Sequence, residues 1–216
     1  GGEEEGSLEA IQDLLLDVAD ALLGFIGGQF IDEDIVRSQA SSLAFITGVD
    51  ASGGSANDSL AYQSSLIDSV LAIASTIVSQ SGEESGDGES LVDSDPAANI
   101  VAALSDILAF GNSSMDNVAQ NASDTIQQLQ ELRARALLVG EDPEVVVTPN
   151  LISTVSREII NDNIDAIFVD SSNEESSDPS LNTSLSVGTT LLETLREQAG
   201  NSGDDDSFVI GVISLP

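Results

Sequence analysis

Apolar residues recur every three or four positions through the first two thirds of the chain. Further on they occur in short β-branched runs or alternate with polar residues. The first pattern is typical of a helix face and the second of strands. Between them, Gly140 and Pro143 interrupt a helix, and Pro149 separates two extended runs. The sequence therefore predicts an α+β protein, with an all-helical subdomain over 1–144 and an incomplete antiparallel β-sandwich subdomain over 145–216.

Five apolar stripes with helical spacing precede this change of pattern. Ser7, Asp32 and Asp95, the last followed by Pro96, are the predicted N-caps, and Gly48 is a predicted helix end. The predicted stripes cover 8–25, 36–47, 60–77, 100–107 and 115–136. The polar, acidic segment 81–95 is predicted to be a loop.

The second pattern predicts five strands and one short helix. The expected strands are 145–148, 151–156, 166–169, 185–187 and 208–215, with a helix over 190–198 and acidic loops over 171–179 and 200–206. The last strand has no evident pairing partner in the sequence, and the chain begins without Met. We interpret the chain as a segment of a larger protein, in which neighbouring modules or a protein partner complete the sheet.

Charge changes the range of plausible partners. The chain has 38 Asp and Glu residues against five Arg, and its formal net charge is -33. Such a charge opposes binding to nucleic acid and anionic membranes, and it favours cations, basic partners or a salty medium. A solvated acidic surface is the simplest interpretation. The apolar content of 41% is sufficient for a folded core.

Candidate chemistry is sparse. The chain has no His, Cys or Lys, so most nucleophile–base pairs cannot be assembled, and we expect no enzyme and no cofactor. Calcium is a weaker alternative, because carboxylates cluster in several segments. These are 32–34, 93–95, 161–165 and 204–206. The third comes nearest to a calcium loop, but Ala166 stands where the loop needs Gly, and we favour solvated acidic loops.

Four Asn-x-Ser sequons provide candidate N-glycosylation sites, which would be used only if the protein is secreted. They begin at Asn57, Asn112, Asn121 and Asn182. Asn121 falls within the fifth predicted helix and is therefore the least favoured of the four.

The segments 148–157, 166–169, 184–195 and 208–215 together resemble the REJ/GAIN region of polycystin-type proteins and adhesion receptors. That family places a helical subdomain before a β-sandwich, and the resemblance implies a role in adhesion, mechanical coupling or receptor presentation. The family's self-cleavage triplet, His-Leu-Ser/Thr, has no counterpart here, and neither do its paired Cys and Trp. The chain either stops short of that site or is a non-cleaving relative.

These observations favour a non-catalytic, extracellular structural or adhesion module of a larger cell-surface glycoprotein, polycystin-like or filament-forming. The alternative is an acidic secreted or cytoplasmic protein of a halophile, with a surface adapted to salt. A third hypothesis, a carboxylate-based glycosidase, is disfavoured because sugar-binding sites use aromatic side chains as platforms. The chain contains no Trp, and only 3% of its residues are aromatic.

Overall fold

The computed structural model describes residues 2–26, 32–53, 60–84, 92–110, 116–159, 167–170, 184–187 and 207–214. Within them five helices precede five strands, so the predicted α+β class and its order are confirmed. The helices are α1 (Gly2–Ile26), α2 (Glu33–Gly53), α3 (Leu60–Glu84), α4 (Ser94–Phe110) and α5 (Asp116–Ala136). The strands are β1 (Glu144–Val147), β2 (Ile152–Ile159), β3 (Ile167–Asp170), β4 (Ser184–Val187) and β5 (Ser207–Ser214).

Helix starts match the sequence signals in part. Asp32 caps α2 as predicted, because its Oδ1 accepts a hydrogen bond from the Ile35 amide at 2.9 Å. Ser7 is not an N-cap, since α1 already begins at Gly2. Glutamates at the start of α1 favour this longer helix through the helix dipole. Asp95 is not the N-cap of α4 either, because it lies inside the first turn, where the Ala97 amide donates a hydrogen bond to the Asp93 carbonyl.

Two helix ends also differ from prediction. Gly48 does not end α2, which continues to Gly53. A glycine inside a helix costs only about 1 kcal/mol, which neighbouring turns can offset. Likewise α3 continues to Glu84, so the first part of the predicted acidic loop is helical. Of the rest of that loop, residues 85–91 lie outside the described residues, while Ser94 and Asp95 already belong to α4.

The residues divide into two compact units, Gly1–Leu129 and Gln130–Pro216. In the first unit, α2 packs chiefly against α4, and α1 packs against α3. The core consists of β-branched and other aliphatic side chains that are almost fully removed from water, which is the main favourable term in folding. Its largest members are Ile26, Leu43, Ile46, Leu66, Ile67, Ile73, Ile77, Ile100, Leu104, Ile107, Ile126 and Leu129.

The second unit contains an antiparallel sheet in the order β1-β2-β5 and a separate antiparallel pair, β3 and β4. The hairpin between β1 and β2 is closed by Thr148, whose Oγ1 donates to the Leu151 carbonyl at 2.7 Å. Ala134, Leu137 and Val155 form a buried cluster within this unit. The packing of the two sheets into a sandwich stays a prediction.

The C-terminal strand corrects one expectation. β5 pairs with β2 along its whole length, from Ile152 opposite Ser214 to Ile159 opposite Ser207. The interpretation of this strand as unpaired was therefore wrong, because it joins a strand that is distant in sequence and carries no local signal of the pairing. The predicted helix 190–198 and the loops 171–179 and 200–206 lie outside the described residues.

The change from helix to strand falls between Ala136 and Glu144, whereas the division into compact units falls earlier, within α5. The two boundaries differ because the last turns of α5 carry side chains that bond to the strands. Gln130 and Arg133 make these bonds, and they define the polar interior of the second unit.

Candidate functional sites

Gln130 links helix and sheet within the second unit. The residue is buried, and its Nε2 lies 3.0 Å from Ser153 Oγ and 3.2 Å from the Thr154 carbonyl oxygen, both on β2. The same nitrogen lies 3.1 Å from the Val212 carbonyl oxygen on β5. The two N–H groups of the Gln130 amide are thus shared among three acceptors on two strands. These bonds fix the end of α5 against β2 and β5.

Gly211 provides the space that this bond network needs. A Cβ at this position would overlap Gln130 Oε1 and would lie 3.0 Å from Gln130 Cδ. The side chain of Gln130 therefore passes directly over the backbone of β5 at Gly211. Sequence reasoning missed this contact, although a glycine inside an apolar strand run is a known sign of close approach by another group.

Arg133 and Glu144 form a buried ion pair between α5 and β1. Arg133 Nη2 and Nε lie 2.8 Å and 2.9 Å from Glu144 Oε2, and the two side chains are only 9% and 16% exposed. Planar, paired contacts of this kind combine charge with fixed geometry. The pair therefore specifies how β1 lies against the end of α5.

The turn after α5 is joined to β2 by a backbone hydrogen bond. Gly140 has a φ of 75°, in the left-handed region that favours glycine, and its amide donates to the Arg157 carbonyl at 2.8 Å. The Glu141 carboxylate accepts from the Leu138 amide at 2.9 Å. Gly140 was predicted to end the fifth helix, but α5 ends four residues earlier, at Ala136, and the left-handed φ of Gly140 shapes the turn that follows.

The sheet presents a long apolar edge. Among the described strands, none pairs with the outer edge of β5, which carries no charged residue and no proline over its eight residues. Val209 is exposed on this strand, whereas Ile210 is buried. Natural edge strands are usually protected by charge, proline or a bulge, so an unprotected edge indicates a place where another strand can pair.

A polar groove of about 350 Å³ lies between α3 and α5 in the first unit. Two carboxylates, Asp68 and Asp124, face it from the two helices, and Asn121 belongs to its lining. Asp124 Oδ1 accepts a hydrogen bond from Gln120 Nε2 at 2.7 Å. The remaining lining residues are Leu71, Ala72, Ser75, Thr125 and Gln128.

The acidic segments proposed for calcium serve other contacts where they are described. Asp32 caps α2, while Glu33 and Asp93 pair with Arg37. In the described part of the chain, no three acidic, His or Cys side chains converge as a metal site would need. The segments 161–165 and 204–206 lie outside the described residues, and calcium binding there stays a prediction.

Of the four sequon positions, the structure describes Asn121 alone. It lies exposed in the second turn of α5, and its backbone carbonyl accepts a hydrogen bond from Thr125 Oγ1 at 2.9 Å. Asn57, Asn112 and Asn182 lie outside the described residues. Use of any of the four as a glycosylation site stays a prediction.

No protein-family model matches the chain, and no curated protein matches it significantly. The REJ/GAIN resemblance therefore stays a prediction. None of the described helices is both long enough and apolar enough to cross a membrane.

Proposed function

We propose that this chain is a non-catalytic, extracellular structural or adhesion module of a larger cell-surface glycoprotein. Its role is to space or couple neighbouring parts of that protein, polycystin-like or filament-forming. The observation that supports this most directly is the apolar outer edge of β5, which a strand from a neighbouring module or a protein partner would extend.

The bonds at the end of α5 support a coupling role as well. A strand that transmits force must be held by contacts that resist sliding, and β5 is held by eight paired residues and by the Gln130 contact at Val212. The sheet-completing partner would thus pair with a strand that is already fixed to β2.

Amide hydrogen exchange measured by NMR tests the sheet edge. In an antiparallel edge strand, alternate N–H groups point toward the neighbour and toward solvent. We expect alternating slow and fast exchange along 207–214 in the isolated chain, and slow exchange at all positions once a partner strand is bound. Uniformly slow exchange throughout β5 in an isolated monomer would contradict the proposal.

The variant Val209→Lys tests strand addition at the outer edge of β5 by mutation. A lysine on this exposed edge position should block strand addition, and Val145→Lys on the short edge strand β1 is the control. Sedimentation velocity across a concentration series measures the result. We expect any self-association of the chain to decrease in Val209→Lys and to persist in Val145→Lys.

Localisation needs a separate measurement. Intact-mass analysis of protein from its native source, before and after removal of N-glycans, should show glycans at one or more of Asn57, Asn112 and Asn182. Protein without glycans and with a melting temperature that rises up to molar salt would instead favour the salt-adapted alternative, which the net charge of -33 motivates.

A further inference from the structure

Helix α1 carries two separate apolar faces. Leu15, Ala19 and Ile26 form the buried face. A second set remains exposed, and we call it the α1 stripe: Ile11, Leu14, Val18, Ala21 and Phe25. Its positions are spaced alternately by three and four residues, which is the a/d spacing of a helix that packs against another helix.

The α1 stripe is unusual within its own unit. Among the described side chains of α2, Phe45 is a single exposed large hydrophobic residue, and the described parts of α3, α4 and α5 have none. In the α1 stripe the side chain of Leu14 is 60% exposed, and those of Ile11, Val18 and Phe25 are each more than 40% exposed. Scattered exposed apolar residues are ordinary, but a contiguous row at helical spacing marks an interaction surface.

Charge identifies the kind of partner. With 3.6 residues per turn, the α1 stripe lies between the core-facing side of α1 and a side that carries Asp13, Asp17 and Asp20, all exposed. The helix also contains four glutamates and no basic residue. A second copy would bring the same acids against these, whereas basic residues beside an apolar seam would complement them.

We propose that the α1 stripe is the docking surface for an amphipathic helix of another protein that carries Lys or Arg beside its apolar seam. The partner helix packs its a/d side chains on Leu14 and Val18. Its basic side chains face Asp17 and its acidic neighbours, so that apolar contact gives affinity and charge selects orientation.

A synthetic three-heptad peptide with Leu at a and d and Lys at the flanking positions tests this. Its fluorescence anisotropy is titrated with the full chain at physiological salt, next to a scrambled peptide of the same composition. We expect the heptad peptide to bind at least about tenfold more tightly than the scrambled one and to gain helicity by circular dichroism. Equal binding of both peptides would show only non-specific attraction to acid and would overturn the proposal.

Leu14→Ser/Val18→Ser is the decisive variant, because it removes the centre of the stripe and leaves every charge in place. Phe45→Ser is the matched control, since Phe45 is 68% exposed on α2. We expect the double variant to lose the preference for the heptad peptide and the control to keep it. Unchanged binding by the double variant would overturn the proposal.

Two further outcomes would also overturn it. A concentration-dependent dimer that disappears in Leu14→Ser/Val18→Ser would make a second copy the occupant. A melting temperature that falls much more in the double variant than in Phe45→Ser would show that the stripe is covered by this chain itself.

Discussion

The two units differ in how many bonds a single buried polar side chain makes to other elements. In the helical unit, Thr47 and Thr125 bond back to carbonyl groups of their own helices, and single side-chain bonds link helices, such as that from Gln80 Nε2 to the Ile26 carbonyl oxygen at 3.3 Å. In the second unit, Gln130 and Arg133 bond across elements, to β1, β2 and β5. Polar bonds between elements are therefore most concentrated at Gln130 and Arg133, which specify how the end of α5 meets the strands of the second unit.

Two arginines make the same contrast. Arg37 pairs with Glu33 on the surface of α2, where the two side chains are 48% and 51% exposed. Arg133 pairs with Glu144 at 9% and 16% exposure. Solvent screens the first pair and leaves it little net energy, while the second has exchanged hydration for contacts of fixed geometry.

Arg133→Ala should therefore produce the largest loss of stability. Removing the cation leaves the Glu144 carboxylate buried without compensation, which costs about 3–5 kcal/mol. The matched change Arg37→Ala should cost about 1 kcal/mol or less. Chemical denaturation of both variants measures the difference.

A double replacement checks the reason for that loss. Arg133→Met/Glu144→Leu removes both charges and keeps apolar volume, and it should recover most of the stability lost in Arg133→Ala. If Arg133→Ala and Arg37→Ala lower the free energy of unfolding by equally small amounts, burial of the Arg133–Glu144 pair has no energetic consequence, and this difference between the two units is contradicted.

Gly211→Ala should have the second largest effect, a loss of about 1–3 kcal/mol, because its methyl group must displace the buried Gln130 amide from three acceptors. Gln130→Ala alone loses the same bonds. The double variant should be less destabilised than the sum of the two by about 1 kcal/mol or more, since alanine at 130 leaves space for the new methyl group. Additive losses in this cycle would mean that the two residues do not interact.

Salt should have a smaller effect that the two units share. A net charge of -33 repels itself, and salt screens exposed charges beyond about 8 Å at physiological ionic strength. We expect the melting temperature to rise by a few degrees between low salt and several hundred millimolar NaCl. A midpoint that stays flat or falls would indicate that bound cations or partners already compensate the acids.

The smallest expected effect concerns Asp106 in the helical unit. Burial raises the pKa of this carboxyl group, and a hydrogen bond with Thr47 offsets the shift only in part. A carboxyl group with a raised pKa binds its proton more tightly in the folded state. It therefore destabilises the fold above that pKa, and this penalty disappears as the pH falls below the pKa of the unfolded chain.

Asp106→Asn should accordingly raise the melting temperature at pH 7 and change it little near pH 3. Asp124→Asn, at an exposed position on α5, is the control. A stabilisation by Asp106→Asn that is equal at both pH values would exclude titration of this carboxyl group as its cause.

The spacing of apolar residues and the positions of capping and turn residues predict local structure well, but they predict contacts between distant parts of the chain poorly. Within the described residues, all five helices and all five strands were found by the spacing of apolar residues together with signals such as the cap residue Asp32. The pairing of β5 with β2 was missed, because register between distant strands depends on which edges remain available. Gln130 was missed too, since a glutamine in a helix shows its role only when the strand carrying Gly211 is placed beside it.

The strand order β1-β2-β5 also sets an order of folding events. β1 and β2 follow each other closely in the chain and close a short loop, whereas β5 follows β2 only after a long stretch of chain. Closing that longer loop is entropically more costly and slower. We therefore predict that during synthesis the hairpin forms before β5 is made, so that one edge of β2 is open for a period and another strand can occupy the place of β5.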